Sequence, residues 1–388
     1  MDSRSAGLQV LALEPWYGGS HRHFLRDVIR HSRHAWTPIT MAARYWKWRM
    51  QGGAVTLAQK ASAAYDDGLR SDAVFASSMV NLPAFLALTR PRFDAVPVVL
   101  FFHENQLTYP IQDGEERDLT YAYINYLSAL AADRVVFNSQ FHLDEFFGAL
   151  PTLLARFPDF THPGTLADIR AKSSVLHLGL DLDGHDAHRV DNDAAEVLAP
   201  GPPVVLWNQR WEYDKNPAQF FRTMNRLDDA GVRFRLILAG KHYEEKPPDF
   251  ERAFQRYAER ILHYGYAEDF AAYSRLLHRS DVVVSTARHE FFGIAMLEAI
   301  HCGCHPVLPN RLTYPELIPE TLHRPLLHAP VLYEDEDDLF TLLKGILSGQ
   351  DKPLPDAVLR EISDHLNWPE QVARYDDLLD QCVEANLG

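Results

Sequence analysis

The stretch from Asp281 to Val307 constrains the fold more than any other part of this sequence. It begins with three consecutive valines, 282–284, which predict a buried parallel strand. A polar break at 285–289 follows, and then a glycine and apolar residues three positions apart, which predict a helix. The helical positions are Ile294, Leu297 and Ile300. A second short apolar run, 306–308, completes a strand–helix–strand unit, which predicts an α/β fold with a parallel sheet.

Two carboxylates of this unit, Glu290 and Glu298, lie where open α/β sheets bind ligands. Glu290 falls in the loop after the carboxyl end of the strand. The backbone from Phe292 to Gly293 opens the following helix, and free amides at a helix start favour a phosphate. Glu298 lies about two turns further along that helix, within reach of a hydroxylated group such as a ribose diol. The alternative is structural, with Glu290 capping the helix and Glu298 a solvated helix residue.

The segment EFFGIAMLEAIHCGCHPV, residues 290–307, resembles the donor-binding signature of the family-four retaining nucleotide-sugar glycosyltransferases. The resemblance implies that the first Glu contacts the sugar, that the second holds the ribose, and that amides near the Phe-Gly pair meet the diphosphate. The donor contacts that it implies are Glu290, Phe291, Phe292, Gly293, Ile294 and Glu298. It also implies the GT-B fold, in which two Rossmann-like domains with parallel sheets face each other across a cleft.

The chain is long enough for two such domains. It has 388 residues, 46% of them hydrophobic, which is ample for two cores. The segment 181–203 is polar, acidic and rich in Pro and Gly, and is the best linker candidate. We expect an N-terminal acceptor domain over residues 1–195, completed by a last helix at 369–388, and a C-terminal nucleotide-sugar domain over 196–368.

Composition argues against several classes of protein. No apolar run approaches the roughly 18 residues that a membrane-spanning helix needs. The apolar piece before Glu14 is typical of a first strand rather than of a signal peptide. The three cysteines, Cys302, Cys304 and Cys382, make no disulfide framework. We therefore expect a cytoplasmic protein without membrane insertion.

No metal ion or other cofactor is expected. The histidines at 21–34 and the His/Cys group at 301–305 lack a recognised zinc spacing. The Asp-x-Asp at 181–183 opens the linker instead of following a strand, where a metal-dependent enzyme would use it. The only small molecule expected is the nucleotide-sugar substrate itself.

Two cations, Arg210 and Lys215, follow the strand predicted at 203–209. Paired positive charge at a strand's carboxyl end suits a diphosphate that gains charge as it leaves. Solvated surface cations are the alternative. Family-four enzymes place an Arg and a Lys about five residues apart in this loop, so the resemblance implies catalytic roles for both. It also makes Gly265 and Tyr266, after a later strand, candidates for contacts with the base.

A polar set, His103 to Gln106, follows the strand predicted at 97–102. A lone His in such a place is often only a satisfied hydrogen-bonding residue. Family-four enzymes commonly carry a His after this strand that contacts the donor sugar, so the resemblance implies a catalytic role for His103. Gly18 and Gly19 form a turn before a predicted helix. This is a plain βα turn or, as the resemblance implies, a loop beside the donor phosphates.

One segment is basic in an otherwise acidic chain. The formal net charge is −15, yet seven Lys/Arg between residues 20 and 50 accompany a single acid, Asp27. Within this segment RYWKWRM, residues 44–50, alternates cations with aromatics, a pattern that suits an unstacked nucleobase and its phosphates. The alternatives are an interfacial membrane contact and a helix whose tryptophans belong to the core. The candidate contacts with an RNA acceptor are Ser20, His21, Arg22, Arg44, Trp46, Lys47, Trp48, Arg49, Glu104, Asn105 and Gln106.

Longer segments are similar to one group within the family, the tRNA-queuosine mannosyltransferases. They are LEPWYGGSHRHF, KWRM, HENQLTYP, NSQFHLDEFF and WNQRWEYDKNP. The likeness covers nearly the whole chain and implies transfer of mannose from GDP-mannose to the cyclopentene diol of queuosine in a tRNA anticodon, with retention. Two alternatives remain: a glycosyltransferase with a lipid or small-molecule acceptor, and a noncatalytic protein that binds a nucleotide sugar or RNA.

Overall fold

The computed structural model describes residues 7–111, 114, 116–189, 201–241 and 248–387. The chain divides into two compact units. Unit 1 comprises Met1–Gly179 and Trp368–Gly388, and unit 2 comprises Leu180–Asn367. Within the described residues each unit contains one six-stranded sheet in which all pairs are parallel. The predicted α/β class is therefore confirmed.

The sheet of unit 1 has the strand order β2-β1-β3-β4-β5-β6. Its strands are β1 (Gln9–Tyr17), β2 (Ala35–Ala42), β3 (Ala73–Ser77), β4 (Val98–Phe102), β5 (Arg134–Phe137) and β6 (Ser173–Val175). The connecting helices are α1 (Gly19–His31), α2 (Trp46–Asp66), α3 (Leu82–Leu88), α4 (Leu119–Ala131), α5 (Gln140–Leu154) and α6 (Thr165–Ala171). Every residue of β3 and β4 is buried, as expected of parallel strands that are covered on both faces.

The sheet of unit 2 has the order β12-β11-β10-β7-β8-β9. Its strands are β7 (Val204–Trp207), β8 (Arg235–Ala239), β9 (Ile261–Gly265), β10 (Val282–Val284), β11 (His305–Pro309) and β12 (Leu332–Tyr333). Its helices are α7 (Leu182–Asp186), α8 (Pro217–Asp229), α9 (Pro248–Tyr257), α10 (Phe270–His278), α11 (Ile294–His301), α12 (Tyr314–Leu317), α13 (Glu320–His323), α14 (Glu336–Leu347) and α15 (Asp356–Ser363). The last helix, α16 (Trp368–Leu387), belongs to unit 1.

The predicted linker begins as ordered structure, because α7 lies within it. Residues 190–200 of that linker, and with them the predicted boundary at 195/196, lie outside the described residues. The same is true of 242–247 in the polar insertion before α9. No helix within the described ranges combines the length and the apolar character needed to cross a membrane.

Candidate active site

Two loops of unit 2, at the carboxyl ends of β7 and β10, are joined around the side chain of Lys215. Its Nζ donates to the carbonyl oxygen of His289 at 2.7 Å and lies 3.3 Å from Oε2 of Glu290. Asp214 Oδ2 lies 3.2 Å from the same nitrogen. The Thr286 hydroxyl donates to the carbonyl of Lys215 at 2.9 Å and links the two loops a second time. The structure thus brings together the two predicted catalytic residues Lys215 and Glu290.

The ammonium group of Lys215 keeps Glu290 ionised. Burial alone would raise the pKa of the Glu290 carboxyl, but the charges of Lys215 and its neighbours outweigh this and lower it. Burial and the Lys215 charge lower the pKa of His289 to about 4. The His289 ring is therefore neutral near pH 7, and Lys215 does not face a second cation there.

Arg210 occupies a more exposed position in the same loop. Its side chain is 41% exposed, lies 2.9 Å from a carboxylate oxygen of Glu212 and 3.9 Å from one of Asp214. Sequence reasoning treated Arg210 and Lys215 as the cations of a phosphate site and did not identify these acids. In the structure both cations already have carboxylate neighbours, so an incoming diphosphate would have to replace these carboxylates as the partner of the cations.

The start of α11 supplies a backbone site. Gly293 caps this helix with φ of +87° and, as a glycine, makes no side-chain hydrogen bond to its first amides. A Cβ at this position would lie 3.1 Å from Cε1 of Tyr314, so both conformation and space favour glycine. Phe291 and Phe292 are buried and Ile294 is half-buried, so the side chains of the two Phe anchor the loop in the core.

Glu298 of α11 ends a short hydrogen-bond chain. Its Oε2 accepts from the Tyr273 hydroxyl at 2.9 Å, and that hydroxyl accepts from the Asn208 amide at 3.1 Å. Burial and the Glu298 carboxylate raise the pKa of Tyr273 well above its ordinary value, so its proton remains available to the carboxylate. Sequence reasoning missed Tyr273 and Asn208, although Asn208 also follows a strand, at the end of β7.

Gly265 and Tyr266, the predicted base contacts, lie at the carboxyl end of β9. Gly265 has φ of +118°, and Tyr266 presents a ring that is 70% exposed. Lys241 Nζ lies 5.9 Å from the centre of that ring. An exposed aromatic face of this kind can stack on a base.

A second group of polar side chains lies at the carboxyl edge of the sheet in unit 1. His21 of α1 is held between two carboxylates, with Nδ1 2.9 Å from Glu14 and Nε2 3.0 Å from Glu104. Burial alone would lower the pKa of His21, but Glu104 and Glu14 together raise it well above its ordinary value. His21 is therefore an imidazolium that donates to both acids. Glu14 was not identified from the sequence, although an acid inside an apolar strand is a usable signal.

His103, the predicted catalytic histidine, packs against His21 with ring centres 4.1 Å apart. Burial and the positive charge on His21 lower the pKa of His103 well below its ordinary value. His103 is thus a neutral imidazole beside a charged one, and a neutral ring can both donate and accept a hydrogen bond.

The loop after His103 is held by its own amides. Asn105 is fully buried, and its Oδ1 accepts from the amides of Leu107 and Thr108, both at 3.0 Å. The Gln106 amide donates to Asn125 at 2.7 Å. The side chain of Asn105 therefore shapes this loop, which makes it a poor candidate for the acceptor contact expected from the sequence.

The predicted glycine turn leads directly into α1. Gly19 has φ of +51° with open space around its α-carbon, whereas a Cβ on Gly18 would meet Ala43 at 2.5 Å. Ser20 and Arg22 in the first turn of α1 are exposed. The backbone at Gly18 thus packs closely on Ala43, whereas the open space beside Gly19 leaves room for a ligand to approach the backbone.

The basic segment of residues 44–50 has two different faces. Trp46 packs on a small buried cluster that contains Met50 and Tyr121. Trp48, two residues later, is 61% exposed. Arg44 and Lys47 are also exposed, whereas Arg49 is half-buried and donates to the Ala42 carbonyl at 3.1 Å. The two tryptophans therefore do not both belong to the core, and the segment is not fully exposed either.

A metal ion would find three ligand atoms in unit 1, from Glu14, His21 and His103, within 4.8 Å of one another. Both ring nitrogens of His21 are already taken up by carboxylates, however. An imidazolium has no lone pair for a metal, so the hydrogen-bonded arrangement and metal binding exclude each other at this residue.

Two family models match the chain in succession. The first, tRNA-queuosine alpha-mannosyltransferase N-terminal, covers residues 9–180, and the second, glycosyl transferases group 1, covers residues 189–338. The tRNA-queuosine alpha-mannosyltransferase of Drosophila melanogaster is 36% identical over 314 residues, which cover 80% of this chain and 82% of that protein. A GDP-mannose:cellobiosyl-diphosphopolyprenol alpha-mannosyltransferase of Xanthomonas campestris is 24% identical over 58% of this chain and 52% of its own.

Among solved structures, a sucrose-phosphate synthase from Thermosynechococcus elongatus superposes with a TM-score of 0.72 at 15% identity and covers 97% of this chain and 100% of its own. This likeness agrees with the GT-B class expected from the sequence. The Drosophila relative matches this chain at 36% identity over most of both lengths, and the two family models account for both units. The chain therefore belongs to the tRNA-queuosine alpha-mannosyltransferase family of glycosyltransferases.

Proposed function

We propose that this enzyme transfers mannose from GDP-mannose to queuosine in a tRNA anticodon, with retention at the anomeric carbon and in the cytoplasm, where tRNA is available. The observation that carries the proposal is the 36% identity to a tRNA-queuosine alpha-mannosyltransferase over most of both chains. The family model for the N-terminal half, which ends at residue 180, supports the same acceptor.

We assign the donor roles to residues that lie close together in unit 2. Arg210 and Lys215 would neutralise the diphosphate, which gains negative charge as the bond to the sugar breaks. Glu290, kept ionised by Lys215, would accept hydrogen bonds from sugar hydroxyls. Glu298 would accept from the ribose diol, and the amides at the start of α11, which Gly293 cannot cap with a side chain, would meet a phosphate oxygen.

The reaction that fits these roles is a displacement on one face of the sugar. The acceptor hydroxyl attacks the anomeric carbon, the bond to the diphosphate oxygen breaks, and that oxygen takes the hydroxyl proton. His103 of unit 1, a neutral imidazole, would hydrogen-bond to the sugar near the reacting carbon. Two cations supply the positive charge, so we expect no metal requirement, and chelation with EDTA should leave the rate unchanged.

The decisive experiment offers radiolabelled GDP-mannose together with tRNA that contains or lacks queuosine. Label should enter only the queuosine-containing tRNA, and Glu290→Gln should abolish the transfer while the protein stays folded. Transfer to both tRNAs would refute queuosine as the acceptor. Transfer into a lipid extract but into neither tRNA would favour the other acceptor class.

The exposed cations of the basic segment test the RNA surface. Because each phosphate contact adds roughly one unit to the slope of log affinity against log salt, Arg44→Glu with Lys47→Glu should weaken tRNA binding and flatten that slope by about two. Two exposed cations of unit 2, Arg324 and Lys344, provide the matched control pair. Equal losses from both pairs would mean that net charge, and not this segment, controls tRNA binding.

A further inference from the structure

A buried imidazole lies behind the carboxylate of Glu298. His185 is on α7, in the segment by which the chain enters unit 2, and its side chain is completely buried. Its Nε2 lies 3.7 Å from Oε1 of Glu298, the oxygen that does not accept from Tyr273. The ring packs against Phe270 and Tyr273, with centres 4.6 and 6.0 Å away.

The backbone of α7 is fixed in this position. The His185 carbonyl accepts from the Ser274 hydroxyl at 3.1 Å and from Nε2 of His278 at 2.9 Å. The next residue, Asp186, accepts from Arg360 at 2.8 Å. The imidazole is therefore held next to Glu298 by contacts that do not involve its own nitrogens.

Packing alone does not account for a histidine here. Among the described residues neither ring nitrogen of His185 has a hydrogen-bond partner, although both are buried. A buried polar group without a partner is destabilising, and a phenylalanine would fill the same aromatic surroundings without that penalty. A charged acceptor, Glu298, lies 3.7 Å from Nε2, and its carboxylate oxygens can each accept two hydrogen bonds.

We propose that His185 is a positioning residue for donor binding: its Nε2–H closes onto Oε1 of Glu298 and, with Tyr273 on Oε2, sets the plane of the carboxylate for the ribose diol. This inference rests on the proposed assignment of Glu298 to the ribose. For this hydrogen bond to form, the 3.7 Å separation must shorten to about 3 Å. The segment that leads into unit 2 thus contributes to nucleotide recognition through Glu298.

The test compares binding of GDP with binding of 2′,3′-dideoxy-GDP by calorimetry, in wild type and in His185→Phe. Phenylalanine keeps the ring packing and removes the N–H. Because one hydrogen bond to a charged group is at stake, we expect the preference for GDP over the dideoxy nucleotide to fall roughly tenfold in His185→Phe. Affinity for the dideoxy nucleotide should not change.

Two further variants make the outcomes distinct. Glu298→Gln should lose the same preference directly, and His278→Phe, which removes a contact to the α7 backbone without touching Glu298, should keep it. If His185→Phe retains the wild-type preference, or weakens both nucleotides equally, His185 only packs and the inference is wrong. If wild type itself binds both nucleotides equally, the ribose assignment of Glu298 fails, and the inference fails with it.

Discussion

Lys215 is the residue at which stability and the proposed catalysis would depend on the same contact. Its side chain is 7% exposed and lies within 3.3 Å of Asp214 and Glu290. Lys215→Met keeps most of the apolar stem but removes the ammonium group from two largely buried carboxylates, of which Asp214 keeps a cation, Arg210, at 3.9 Å. Removing one partner of a buried ion pair costs about 3–5 kcal/mol, and because the Glu290 side chain is 24% exposed we expect a loss of about 3 kcal/mol in the free energy of unfolding.

This loss should depend on pH with a definite sign. In wild type the pKa of Glu290 is lowered, so its stabilising contribution is present above the ordinary pKa of a Glu carboxyl and disappears as the pH falls. Without Lys215 the largest charge that opposes burial is lost, so the pKa of Glu290 rises and the variant regains stability when Glu290 takes up a proton. The difference in unfolding free energy between wild type and variant should therefore narrow between pH 8 and pH 5.

The measurement is urea unfolding at both pH values, followed by tryptophan fluorescence and circular dichroism. Arg210→Met is the matched control, because its half-exposed ion pair should contribute no more than about 1 kcal/mol. Both variants should lose mannose transfer. A Lys215→Met protein as stable as the control, or a difference that widens at pH 5, would refute the interpretation of the buried pair.

Three other predictions concern single contacts. Gly293→Ala should destabilise unit 2 by about 1–2 kcal/mol and raise the KM for the donor, because a residue in the left-handed region gains a Cβ 3.1 Å from Tyr314. Unchanged thermal unfolding of this variant would contradict the prediction. Tyr273→Phe removes the donor to Glu298 and should weaken GDP binding by roughly tenfold, as calorimetry would show. His21→Gln should destabilise unit 1 most at low and neutral pH. The pKa of His21 is raised, so the stability that the charged ring contributes is fully present below the ordinary pKa of a histidine and is lost at high pH. A pH-independent loss in unfolding experiments on His21→Gln would rule out the charged imidazole.

The strands that were predictable are those buried on both faces. Runs such as 98–102 and 282–284 appear in the sequence as continuous apolar stretches, and both are strands within one residue of the expected bounds. Strand β2 was not predicted. It is an edge strand that contains Pro38 and is mostly half-exposed, so it lacks the continuous apolar run of a central parallel strand.

The positions of the candidate site residues were predictable because parallel strands end at one edge of a sheet. Their partners were not. Tyr273 on α10 donates a hydrogen bond to Glu298 on α11. Lys215 contacts both its neighbour Asp214 and Glu290, which is 75 residues further along the chain. Such pairs depend on how helices and loops pack, and no local pattern encodes them.

The basic segment shows why alternating patterns are hard to interpret. In RYWKWRM the two tryptophans are two residues apart, and positions two apart on a helix point to different faces. Trp46 is consequently packed on the interior and Trp48 is exposed. An interpretation that assigns both rings to one environment fails, whichever environment it chooses.

The pairing of charges in unit 2 alters the interpretation of the donor site. From the sequence, Arg210 and Lys215 were two cations prepared for a diphosphate. In the structure both cations already have carboxylate neighbours: Glu212 and Asp214 lie beside Arg210, and Asp214 and Glu290 lie beside Lys215. On the proposed donor assignment, a diphosphate would compete with Glu212 and Asp214 for these cations, and a ligand with a single negative charge would compete less well. On that assignment the acids would favour a doubly charged leaving group over other anions, and the contact with Glu290 would hold Lys215 in place for it.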